Sequence, residues 1–159
     1  MTTSLAANVA PPRFKPNVTV AAIVEHEGKF LIVEEDTSEG IGYNQPAGHL
    51  EEGESLLAAV VRETLEETRY DIEPTALVGL YQWKRPQSAT TYLRVAFACR
   101  VLGHDPARTL DAGICAARWL TRDELVALAK QHRSPYVLRC LDDYLAGKRY
   151  PLDLIAHYH

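Results

Sequence analysis

The 159-residue sequence predicts an α/β fold of the α+β kind, a mixed β-sheet lying between helices. Two observations predict it. Segments rich in β-branched residues open the chain and return after residue 75, and one amphipathic helical stretch, 55–69, falls between them before two further helices close the chain. At this length, with 47% of residues hydrophobic, there is core enough for one compact domain. The expected organisation is a flexible leader over 1–13 and a single domain over 14–159.

Taken in order, VTVAAIVE (18–25) and FLIVEE (30–35) read as a hairpin that turns at Gly28. Gly40, Gly42, Pro46 and Gly48 then interrupt the chain often enough to predict a loop with one short strand. From Ser55, a suitable N-cap, Leu56, Leu57, Val60, Val61 and Leu65 recur at helical steps to about Arg69. Strands are expected at about 76–84, 92–101 and 116–120. Thr121 caps a helix over RDELVALAKQ, and Ser134-Pro135 opens a last one that Gly147 ends.

Composition excludes several classes. A net charge of −4 with 17 dispersed basic residues cannot hold a nucleic-acid duplex. No apolar run approaches the ~20 residues of a membrane helix, and the N-terminus lacks the pattern of a secretory signal. Cys99, Cys115 and Cys140 match no metal or disulfide spacing and are expected to be buried thiols in a reducing cytoplasm.

The chemistry is concentrated in PAGHLEEGESLLAAVVRETLEETRY. Glu63, Glu66 and Glu67 share a helix face and lie in the last turns, where like charge and the helix dipole both disfavour acids. A solvated acidic face is the plain reading of such a cluster. A divalent cation among the carboxylates removes the penalty, since Mg²⁺ takes hard oxygen ligands and commonly bridges to phosphates. Arg62 points to another face of the helix, and its spacing from Glu54 suggests an ion pair that positions the acids.

Gly48, Glu54, Arg62-Glu63 and Glu66-Glu67 stand at the spacing of the motif Gx5Ex7REUxEExGU, with U a bulky aliphatic, and the sequence thereby resembles the Nudix hydrolases. Thr64 and Tyr70 replace two aliphatic positions, and Arg69 replaces the glycine that would end the helix, where a left-handed cap strains a non-glycine residue. Beyond the motif, FKPNVTVAAIV, NQPAGHLE, LYQW, CAARWL and RSPYVLRCLDDYLAGKRYPL are similar to a narrower group of bacterial phosphatases within that family, from about Phe14 to about Ile155.

The resemblance implies a Nudix α/β/α sandwich and Mg²⁺-assisted attack of water on a phosphorus of a diphosphate linkage, with Mn²⁺ as a possible substitute. It implies Glu63, Glu66 and Glu67 as metal ligands, joined by the main-chain carbonyl of Ala47, and a catalytic group completed by Arg62. The base is Glu63 or an acid from a later loop, for which Asp111 is the candidate. The implied substrates are small molecules, nucleoside tri- and diphosphates or a thiamine-pathway pyrimidine pyrophosphate, acted on by a monomer that releases orthophosphate. A fold of this family that binds a nucleotide without cleaving it is the alternative, disfavoured by the full set of glutamates.

For recognition, Tyr81 and Trp83 share a strand face and, with Lys84 and Arg85 nearby, could stack a flat ring, although core packing is the commoner use of such a pair. Arg94 is a candidate for phosphate or for a surface ion pair. Gln45 and Asn44 either read a base edge or hold their loop. Arg133 and Ser134 open the last helix, whose N-terminus could face an anion.

Overall fold

The computed structural model describes residues 10–158. The proposed leader lies largely outside the described residues; within them, 10–16 have no regular structure. The hub is β1 (Asn17–His26). It runs parallel to β6 (Thr91–His104), pairing Val20 with Val95 and Thr19 with Arg94, and β5 (Tyr70–Lys84) lies antiparallel beyond β6. On its other edge β1 meets β4 (Ala47–His49) through residues 19–21 and β2 (Lys29–Thr37) through Glu25 and His26. Two more strands, β3 (Gly40–Asn44) and β7 (Ile114–Leu120), flank β2.

The mixed sheet buries both faces. Ala59 and Val60 of α1 (Leu56–Thr68) pack with Val20, Ala22, Val95 and Phe97 on one side. On the other, Val137, Cys140 and Leu141 of α3 (Tyr136–Leu145) and Leu125 of α2 (Arg122–Ala127) pack with Ala21, Ile23, Ala96 and Ala98. Alternation along β1 and β6 feeds the two cores in turn, so the layering follows from the period of two.

Glu27 and Gly28, both with positive φ, make the turn of the β1–β2 hairpin, the geometry that matches strand twist. The segment after β2 holds two strands where one was expected. Strand β5 starts at Tyr70, six residues early, because register shifts at Asp71/Ile72, Pro74/Ala76 and Leu77/Gly79 break the alternation by which a strand is recognised. The helix capped by Thr121 stops at Ala127, and a separate 3₁₀ turn covers Ala129–Gln131. Cys115 is exposed, which corrects the expectation of three buried thiols; Cys99 and Cys140 are buried. Among the described residues no helix is long and apolar enough to cross a membrane.

Candidate active site

Helix α1 is fixed at both ends. Ser55 Oγ accepts from Ala58 N–H at 3.1 Å, and the chain leaves through Arg69, left-handed at φ 66°, whose N–H bonds Leu65 O at 2.9 Å. An arginine therefore makes the cap that glycine would make without strain. Thr64, at a position where the motif has an aliphatic, is fully buried and returns its hydroxyl to Val60 O at 2.7 Å; Thr68 does the same to Thr64 O at 2.5 Å. The deeply buried face of α1 is thus Ala59, Val60, Thr64 and Thr68, with only Val60 of the Leu and Val stripe suggested by periodicity fully buried, and these small residues let the acids approach the edge of β4.

Glu63 lies directly over Gly48: a Cβ there would overlap its carboxyl group. Glu67 is 8% exposed and accepts Ala47 N–H at 2.9 Å. In a strand the N–H and C=O of one residue point to the same edge, so the Ala47 carbonyl also projects away from β1 towards the acids. Arg62 does not point away from this group. Its Nε and Nη2 hold Glu54 at 3.1 and 2.6 Å, Nη2 bonds His49 O at 3.0 Å, and Nη1 reaches Glu63 at 2.9 Å and Glu66 at 3.2 Å. Asp111 N–H donates to Glu66 O at 3.1 Å, tying its loop to α1.

Burial pushes the Glu67 carboxyl up to about 9, and the nearby charges of Glu35, Glu63 and Asp111 add to the shift. Burial likewise raises Glu63, against the opposing pull of Arg62. Glu54, hydrogen-bonded to Arg62, is held below the usual carboxylate range. Several carboxylates thus converge where burial and mutual repulsion oppose their charge.

Beside Glu67 opens a cavity of about 210 Å³, walled by Trp83, Tyr92 and Tyr136 and reached by Arg85, Arg94 and Arg133. Trp83 stands nearly parallel to Tyr92 at 6.2 Å and edge-on to Tyr136 at 5.8 Å. Arg94 is 5% exposed and makes no surface ion pair: Nη1 bonds Gln45 Oε1 and Nη2 bonds Asn44 Oδ1, both at 3.1 Å, its carbon Cζ lies 5.0 Å over the Tyr136 ring, and its buried Nε has no partner. Gln45, itself buried and anchored on Val137 O at 2.7 Å, stands behind Arg94 and does not line the cavity. Tyr81 shares its strand face with Trp83 but donates to Asp143 at 2.9 Å and lines a neighbouring recess.

The sequence did not single out Glu35, Tyr92 or Tyr136 for this cavity, and offered Arg133 as part of a helix start whose N-terminus could face an anion. Glu35 reads as the polar end of a strand, and the two tyrosines meet Trp83 only after β6 and α3 have packed.

Among the described residues no three Asp, Glu, His or Cys side chains stand as a ready metal cage. Arg62 Nη1 instead bonds both Glu63 and Glu66. The donor set nevertheless fits a hard divalent cation: carboxylate oxygens and a main-chain carbonyl, crowded without a full complement of positive charge.

The chain belongs to the Nudix family: the NUDIX domain model matches residues 13–140. It is a hydrolase acting on phosphoric anhydrides, of a family that generally uses a divalent metal. It is 40% identical over 146 residues to Phosphatase NudJ of Escherichia coli K12, covering 92% of this chain and 94% of that one. It is also similar to a solved NUDIX hydrolase from Nitrosomonas europaea, with 50% identity, a TM-score of 0.88, and coverage of 91% of this chain and 98% of that one. A UDP-X diphosphatase at 20% identity and TM-score 0.70 shares the fold, covering 92% of this chain and 70% of that one.

Proposed function

We propose that this protein is a Mg²⁺-dependent phosphohydrolase of nucleoside tri- and diphosphates, or of a thiamine-pathway pyrimidine pyrophosphate, which releases orthophosphate, with Mn²⁺ able to replace Mg²⁺. Residues 14–159 act as one domain and as a monomer. The observation that carries the reading is Glu67: a nearly buried carboxylate beside Glu35, Glu63 and Asp111, lining a cavity with aromatic walls.

Glu63, Glu66, Glu67 and the Ala47 carbonyl would hold the cation, which would supply charge neutralisation at the phosphate oxygens and a lowered pKa for water. Arg62, anchored by Glu54, keeps Glu63 and Glu66 in register. The attacking water gives its proton to Glu63 or Asp111, its oxygen bonds to phosphorus, and the bond from phosphorus to the bridging oxygen breaks. The leaving oxygen is protonated from solvent. Trp83 stacks the ring of the substrate, and Arg94, set by Gln45 and Asn44, supplies positive charge on the same wall. Tyr81 acts at one remove, through its bond to α3.

The likeness to proteins named Phosphatase NudJ supports release of phosphate. Orthophosphate and pyrophosphate are to be counted separately from a panel of these substrates, with Mg²⁺ and then with EDTA. Metal-dependent orthophosphate is expected; tight binding with no product under any divalent metal would instead make the protein a nucleotide sensor.

A further inference from the structure

Arg133 precedes α3 and lines the cavity together with Glu35, Gly48 and Glu67. Three features bring it there. Its N–H bonds Tyr43 O at 3.0 Å. Its stem lies across β3 at Gly42, where a Cβ would stand 2.6 Å from Arg133 Cδ. Its Nε meets Glu35 Oε2 at 2.9 Å, and Glu35 is the cross-strand partner of Gly42. Gly42 is not left-handed, so space for Arg133, and not backbone conformation, calls for glycine there.

Glu35 engages the Nε of a side chain that is 42% exposed, and among the described residues its Nη groups make no ion pair or hydrogen bond. A partly exposed ion pair contributes little by itself, and neutralising Glu35 needs no glycine at 42. The other cationic group deep in this wall, Arg94, already gives a bond from each Nη to Asn44 and Gln45. Arg85 also lines the cavity but pairs with neither Glu35 nor Glu67, whereas Arg133 is held beside these acids with a fork that can take two oxygens of one phosphate. There it would offset the repulsion between Glu35, Glu67 and an incoming anion.

We propose that Arg133 binds a phosphate group of the substrate, with Glu35 and Gly42 as positioning residues that aim its guanidinium into the cavity. The inference rests on the phosphohydrolase reading and adds to it a residue outside the acidic helix.

The test is calorimetric binding of methylenediphosphonate, whose P–C–P bridge water does not cleave, with Mg²⁺, alongside steady-state turnover and thermal melts. Arg133→Met is expected to weaken binding and raise KM by about tenfold, the factor of one charge-assisted hydrogen bond, while kcat changes less. Arg133→Lys, keeping a charge without the fork, should recover part of the loss. Gly42→Ala, which alters no charged group, should weaken binding in the same sense and decides the matter if Arg133→Met fails to fold. In a Glu35→Gln background the carboxylate that Arg133 pairs with is gone, so a persisting cost of Arg133→Met on diphosphonate binding supports phosphate binding.

Loss of that cost in the Glu35→Gln background would overturn the proposal, as would wild-type affinity in Arg133→Met or no diphosphonate binding by the wild type. Arg133-dependent binding without turnover would remove the phosphohydrolase reading and leave this one standing. Turnover with binding indifferent to Arg133 would do the reverse.

Discussion

Gly48→Ala places one methyl group beneath the carboxylate of Glu63. Gly48 lies in β4 opposite Val20, and a Cβ would overlap Glu63 Cδ and both carboxylate oxygens, each well inside 3.0 Å. Ordinary contact begins at 3.4 Å. The carboxyl group must therefore move by roughly an ångström or more, a displacement that costs about 10²-fold in rate where geometry controls the chemistry. The fold should survive. Gly48 is not left-handed, so alanine adopts its backbone, and the change gains about 0.4–1 kcal/mol through the unfolded chain. Overpacking costs about 1–3 kcal/mol in a rigid core, and less here because the end of a flexible side chain gives way. The expected result is a melting temperature near wild type and kcat lowered about a hundredfold at saturating Mg²⁺, read by phosphate release. Because Gly48→Ala and Glu63→Gln disable the same carboxylate, their combination should be little worse than the poorer single variant. A folded Gly48→Ala protein with kcat within about threefold of wild type would refute the reasoning.

Three further outcomes are expected. Glu67→Gln can still accept Ala47 N–H and should fold, but Mg²⁺ should no longer raise its melting temperature, whereas the wild type gains about 2.7 kcal/mol at a hundred times Kd; an equal rise in both proteins would remove Glu67 from the metal site. His132 has its pKa lowered by burial, so its contribution is present above the unfolded value of 6.5 and is lost as pH falls through the depressed folded value. Melting temperatures at pH 7.5 and 5.5 should accordingly differ less in His132→Asn than in wild type, and identical slopes would count against this. Arg94→Met removes the donors to Asn44 and Gln45 at a cost of about 1–3 kcal/mol each if the amides stay unpaired, and should raise KM about tenfold. An unchanged KM in the folded variant would confine Arg94 to structure.

What could be read from the sequence follows from how local the determining interactions are. The hairpin at Gly28, the cap at Ser55 and the helical spacing of Glu63, Glu66 and Glu67 are set by residues within a turn or two, and the fixed distance back to Gly48 and Glu54 locates the loop that meets them. The first six residues of β5 were hidden by bulges. For Arg94 the sequence left phosphate and a surface ion pair both open, because whether its face is wet depends on α3, some forty residues later; packing makes it a buried guanidinium held by two amides. Tyr81 and Trp83 share one face by alternation, but only packing sends one to Asp143 and the other to the cavity. Glu35 and Arg133 carry no motif: they meet because Gly42 leaves a path across β3.

Arg62 shows why a cluster of acids can wait at the C-terminal half of a helix without destabilising it. Its guanidinium divides its donors between two tasks. The Nε and Nη2 edge is committed to Glu54 and His49 O, outside the acidic face, and this pairing with Glu54 both lowers the glutamate and raises the arginine further above its ordinary value. Only Nη1 reaches Glu63 and Glu66. A cation entering among the carboxylates therefore competes with one nitrogen, while the bidentate anchor to Glu54 keeps the side chain from being expelled. Lysine at this position could neutralise the acids but, as a single ammonium on a flexible stem, could not hold Glu54 and the acidic face at the same time. The place of arginine here, eight residues after Glu54 and next to Glu63, thus follows from geometry as much as from charge.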